Sequence, residues 1–191
     1  MNLLKTLTAS AIIALSAGAA SAATIIYADS VISSTDSDVS DGISTGGSRT
    51  DIDNALGAPD GRFFSIGLGQ EIVLGFSGLG GVKATVWEVT FGDVAKHVET
   101  ADVFAVLGGV ATYIGSVSNN AGSASASGET LSFTGQLDSI KIVDTSPVGG
   151  GSLDGFDVDA VGVQAVPLPA SALLLMGGLA GFGALRRRKA A

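Results

Sequence analysis

The chain has 191 residues, with 18 Asp and Glu, one His and no Cys. Without thiols it can form neither a disulfide framework nor a thiolate metal site, and Cys-His nucleophilic catalysis is excluded. Every acidic residue falls within residues 23–165, against only Arg49, Arg62, Lys83, Lys96 and Lys141, so this body carries a net charge of −13 that repels nucleic acid and attracts cations.

The N-terminus, MNLLKTLTASAIIALSAGAASA, places Lys5 in a short basic head before an apolar stretch around Ala11 to Ala19 and a small-x-small ending at Ala20-Ser21-Ala22. This is the tripartite form of a secretory signal peptide over residues 1–22, with cleavage by signal peptidase expected after Ala22 once the Sec machinery has engaged it. An N-terminal anchor is the alternative, but the apolar part falls short of the ~20 residues that span hydrocarbon.

Residues 23–53 begin with a short strand, ATIIY, and continue as ADSVISSTDSDVSDGISTGGSRTD. That stretch is rich in Ser, Asp, Thr and Gly, lacks a sustained apolar period, and reads as a long polar loop leading into the domain. Over residues 54–165, β-rich runs alternate with Gly-containing turns: RFFSI, EIVLGF, KATVWEVTF, VETADVFAV, ATYIGSV, ETLSF, LDSIKIV and GFDVDAVGV. With the first strand this makes about nine, and no segment has a helical period, so the expected class is an all-β, antiparallel sandwich. The two-residue period puts Ile72, Leu74 and Phe76 on one core face, and Thr85, Trp87, Val89 and Phe91 on another. Trp87, the only tryptophan, is therefore expected inside rather than as a sugar-stacking platform.

The blocks DNALGAPDGRFFSIGLGQEIVLGF, VWEV, SIKIVDTSP and GFDVDAVGV, across residues 51–163, resemble the jelly-roll β-sandwiches of the galactose-binding-like type found in secreted bacterial proteins. The resemblance implies an eight- or nine-stranded sandwich whose end loops bind structural calcium and, in some members, sugar.

In LDGFDVDAVGV the strand period points Phe156, Val158 and Ala160 to one face and Asp157 and Asp159 to the other, which sets the two carboxylates on one side about 7 Å apart. Two such charges in an acidic body raise each other's pKa unless a cation intervenes, and calcium takes carboxylate and carbonyl oxygens in flexible number. By the resemblance, Asp53, Asn54 and Asp60 of the DNALGAPDG loop supply further oxygens. A solvated acidic edge is the alternative.

Residues 166–191 read VPLPASALLLMGGLAGFGALRRRKAA. From Ala160 to Leu185 there is no charged residue, from Ala170 on the run is almost wholly Ala, Leu, Gly, Met and Phe broken by one Ser, and a helix over about 168–185 is long enough to cross a bilayer. Arg186, Arg187, Arg188 and Lys189 would hold that end in the cytoplasm while the body is exported. The combination of Val166, Pro167, Leu168, Pro169 and Ala170 with an apolar helix and a basic terminus closely resembles the VPLPA variant of the PEP-CTERM protein-sorting signal. Such tails, by that resemblance, are cut near the proline motif by an exosortase, a membrane-embedded cysteine protease-transpeptidase. The precursor would sit in the inner membrane through its helix, and the product would reach the surface or matrix of a Gram-negative bacterium that makes exopolysaccharide. Pro167 and Pro169 keep this stretch extended, the form a protease needs. A plain anchor with a chance Pro-x-Pro is the competing reading.

Little in the body suggests chemistry. His97 opens the strand HVETADVFAV, where a lone histidine reads as a solvated bystander, and no G-x-S-x-G elbow accompanies it. No glycine loop opens a helix to cradle phosphate, and nothing in the sequence sets a carboxylate pair across a cleft. The expectation is a non-catalytic surface or matrix protein, associated with exopolysaccharide. The alternative is a carbohydrate-binding module of the galactose-binding-like type, which an exposed aromatic and a groove would favour.

Overall fold

The computed structural model describes residues 24–35, 48–90, 94, 98–119, 128–147 and 154–165. The signal sequence with Ala22, the tail from Val166 to Ala191, Phe91 and His97 lie outside the described residues. Among those described, eight strands run antiparallel: β1 (Ile25–Tyr27), β2 (Ser30–Ser34), β3 (Phe64–Gly67), β4 (Glu71–Glu88), β5 (Thr100–Leu107), β6 (Val110–Ser118), β7 (Glu129–Asp144) and β8 (Asp154–Ala165). Two short 3₁₀ turns, Ser48–Thr50 and Ile52–Ala55, precede β3. No described helix is long and apolar enough to cross a membrane.

The fold is a two-layer sandwich in which β4 and β7 serve both layers. The first part of β4, Glu71 to Gly75, pairs with Ser139 to Val143 of β7, and its later part, Lys83 to Val86, pairs with Glu129 to Ser132. Register shifts between Gly75 and Gly80 and between Gly81 and Lys83 separate the two parts. One layer therefore runs β2, β4, β7, β5, β6. The other sets β1 and β3 in tandem along β8, followed by the later part of β4 and the first part of β7.

Four sequence runs thus become two long strands. EIVLGF joins KATVWEV as β4, and ETLSF joins LDSIKIV as β7. The glycines between them read as turns, yet here they let a strand bulge and bend into the second layer without reversing direction. The polar stretch after Tyr27 also departs from the loop reading: Ser30–Ser34 is a strand on β4. Its serines are tolerated because β2 is an edge strand with mostly exposed side chains.

Ile72, Leu74, Val103, Ile140 and Ile142 of one layer meet Ala84, Val86, Phe156, Val161 and Val163 of the other, all buried. Each large aliphatic or aromatic side chain withdrawn from water contributes about 1.5–3 kcal/mol of transfer free energy, and this packing takes the place of disulfides. Ile72 and Leu74 lie where the period of two expects them, with Phe76 packed at the core margin. The later part of β4 is turned the other way: Ala84 and Val86 face the core, while Thr85 bonds Thr130 across the surface at 2.8 Å. Trp87 is 7% exposed as expected, but its ring packs 5.7 Å from that of Tyr27 and outside the central core cluster. Both faces of this strand are covered, so periodicity alone could not say which is inner.

Candidate functional site

A register shift in β8 decides where the acidic residues of GFDVDAVGV go. Trp87 pairs with Ala160 and Glu88 with Val158, so Asp159 is the extra residue of a bulge. Phe156 and Val158 keep to the core on one side of it, and Val161 and Val163 on the other. Ala160 is buried but lies outside that cluster.

Asp157 and Asp159 are both buried, rather than forming a solvated edge. Asp157 accepts a hydrogen bond from Ser65 of β3 and pairs with Arg49, whose Nη2 stands 3.3 Å from Oδ2. Arg49 also lies over the Phe63 ring, 5.2 Å from its centroid. Asp159 accepts from the amides of Asp60 and Gly61 at 3.1 and 3.2 Å. Burial pushes the Asp159 carboxyl up, against the pull of those two amides and with a further push from the Asp60 carboxylate.

Of the residues expected to hold calcium, the structure brings Asp60 beside Asp159 through backbone amides, and the Asp60 side chain turns back to the Arg62 amide at 2.9 Å. Asp53 and Asn54 form the 3₁₀ turn after Asp51, with the Asn54 side-chain amide 3.5 Å from the Phe63 carbonyl. The carboxylates here accept from N–H and O–H donors and Asn54 donates to a carbonyl, whereas calcium requires oxygens that face an ion. Among the described residues no three His, Cys, Asp or Glu side chains gather as a metal-holding group. As arranged, the five residues are not a ready-made cage.

Three more acidic groups extend this polar end of the sandwich. Glu88 is buried and bonded by Thr90 at 2.5 Å, and its pKa is raised to about 7, first by burial and then by the nearby Asp157 charge, against the opposing hydrogen bonds from Thr90 and Glu99. Glu99 is buried, with its amide bonded to Asn119 at 3.0 Å. Asp144 accepts from the amides of Gly69 and Phe156 and from the Ser146 hydroxyl, tying the ends of β3, β7 and β8 together. Sequence reasoning passed over Arg49, Ser65 and Glu88. The scarcity of basic residues among so many carboxylates was the available clue to Arg49, and Asp144 is announced by the turn-forming DTSP.

The outward face of the five-stranded layer has a different character. Tyr113 of β6 is 54% exposed and rests edge-on against Phe104 of β5, with ring centroids 5.5 Å apart. Its hydroxyl lies 2.8 Å from Ser116 Oγ, which donates to Asp102 at 2.6 Å. Lys141 of β7 reaches within 5.9 Å of the Phe104 centroid and ion-pairs with Glu71 of β4. Strand pairing sets these in one cross-strand row, with Val73 opposite Lys141, Lys141 opposite Phe104, and Phe104 opposite Tyr113. An exposed aromatic thus exists among the described residues, at Tyr113 and not at Trp87.

No family model matches the chain, and no curated protein matches it. Among solved structures it is similar to the CBM32 of AlyQ in complex with 4,5-unsaturated mannuronic acid, at 14% identity and a TM-score of 0.51, covering 75% of this chain and 99% of that one. It also matches the family 32 CBM from C. perfringens NanJ in complex with galactose, at 12% identity and a TM-score of 0.39, covering 73% of this chain and 98% of that one. Identity this low speaks to architecture. The chain has the β-sandwich fold seen in CBM32 domains.

Proposed function

We propose that this chain is an exported, non-catalytic carbohydrate-binding domain that works at the cell surface or in the extracellular matrix. The observation that supports it is the match of the sandwich to nearly the whole of a carbohydrate-binding module, 99% of that chain. The exposed ring of Tyr113 agrees with it, since it offers a sugar an apolar face with a polar hydroxyl at its edge. A glycan array and an exopolysaccharide pull-down with the full chain in detergent test this reading. Retention of one glycan class is the expected result, and a folded protein that retains none removes it.

A second reading, a surface or matrix protein with no glycan affinity of its own, draws on the burial of Trp87, which withholds the one tryptophan from any stacking role. Both readings share the same route. Signal peptidase would release residues 1–22, the apolar run would hold the precursor in the inner membrane, and exosortase would cut near Val166 to Ala170. Replacing Pro167 and Pro169 with Ala, or Arg186 to Arg188 with Ser, should leave an unprocessed membrane-bound precursor in the native host. A released product that still carries the apolar run would show the tail to be something else.

Calcium enters as a proposal only. Asp53, Asn54, Asp60, Asp157 and Asp159 would hold it at the polar end, and Arg49 would have to give up Asp157 for the ion to bind.

A further inference from the structure

Across the outward face of the five-stranded layer, strand pairing sets Ser30, Gly75, Ser139, Val106 and Ala111 side by side. All are small or short, and together they form the floor of a trough running perpendicular to the strands. The recess has a volume of about 560 Å³. Five strands at ~4.8 Å spacing give it a length of about 19 Å, more than one pyranose ring needs. Gly75 is what lets the β2 end close down: a Cβ there would stand 2.6 Å from Ser30 Oγ and 3.2 Å from Ile32, whose 60% exposed side chain forms the wall.

The parallel row two residues along each strand supplies Lys141, Phe104 and Tyr113 on the same face. Asp138 stands at the opposite rim, held by the Gly108 amide at 2.9 Å and the Ser139 hydroxyl at 2.9 Å. The trough therefore has a floor of small residues, with oriented polar groups at its edges and the ring pair Phe104 and Tyr113 in the row beside it. A face of this kind suits sugars, which present C–H faces to rings and hydroxyls to carboxylates and amines.

The charges narrow the class. Glu71, Asp102 and Asp138 border this face, and Lys141 is already paired with Glu71. A uronate carboxylate placed here would meet like charges, in a body that carries −13. The geometry points to a binding trough for a segment of neutral polysaccharide, lying across β2, β4, β7, β5 and β6, with Tyr113 as the stacking residue. This rests on the carbohydrate-binding reading and assigns it a place and a ligand class.

Affinity electrophoresis of the full chain in detergent, through gels carrying a neutral galactan, a neutral β-glucan, polygalacturonate or chitosan, tests it. The expected result is retardation by a neutral polymer and none by polygalacturonate. Tyr113→Ala and Ala111→Arg, which remove the ring and fill the floor, should each weaken that retardation about tenfold or more, while Arg62→Ala at the far loop leaves it unchanged. Melting curves establish that each variant is folded. If a neutral polymer retards wild type and both trough variants equally, the trough is wrong and the carbohydrate reading stands. Preference for polygalacturonate or chitosan overturns the ligand class. If no polymer retards the folded wild type, the carbohydrate reading and the trough fall together.

Discussion

Arg49 and Asp157, separated by 108 residues in the chain, meet at 3.3 Å, so that a cation from the polar N-terminal stretch neutralises a carboxylate buried in the last strand. The pair fastens the 3₁₀ segment before β3 onto β8. Removing one partner leaves the other charge buried, which costs about 3–5 kcal/mol for fully enclosed pairs and less here because Arg49 is partly exposed. Arg49→Met should lower the denaturant midpoint by the equivalent of roughly 2–3 kcal/mol, and Arg49→Met with Asp157→Asn should recover part of that loss. If the double variant is no more stable than the single one, the two residues are not coupled.

Glu88 makes stability depend on pH in a defined direction. Its folded pKa, about 7, lies above its ordinary 4.5, so the protonated acid is the form that burial favours. The stabilisation is complete below about pH 4.5 and is lost as pH rises through about 7, and the raised Asp159 pushes the same way. The melting temperature should fall between pH 5 and pH 8. Glu88→Gln should flatten that fall and raise stability at pH 8, whereas an unchanged slope would place the titrating group elsewhere.

Trp87 offers an optical check. Gly128, at φ +63°, stands where a Cβ would lie 2.7 Å from Thr85 Cγ2 and 2.9 Å from Trp87 Cε2. Gly128→Ala should therefore cost about 1–3 kcal/mol from strain and overpacking, with a shift in tryptophan emission. In the wild type, emission should be that of a buried indole and should not move when a glycan is added, since the trough lies on the other layer. A glycan-dependent shift would bring Trp87 back into the binding site.

The calcium proposal expects the melting temperature to rise with calcium concentration by mass action on the folded state. Asp157→Ala with Asp159→Ala should abolish the rise. Identical melting in excess calcium and in excess chelator would withdraw the ion and leave Asp159 to the amides of Asp60 and Gly61.

The class of fold was legible in the sequence because alternation of apolar and polar residues, punctuated by glycine, has no other compact solution in a body without helical periods. So was the burial of Ile72, Leu74 and Trp87, since large apolar side chains in strand runs have little alternative. Which face of a strand looks inward was not legible where both faces are covered, as at Ala84 and Val86, or where a bulge changes the parity, as at Asp159. A bulge adds one residue without leaving a mark in composition, and every side chain beyond it changes sides. For the same reason the carboxylates of GFDVDAVGV met an arginine and two backbone amides that no local pattern announces. The row of Tyr113, Phe104 and Lys141 comes from three strands whose registers are set only when β5, β6 and β7 pair, so the residues that form a surface together were determined by the tertiary structure alone.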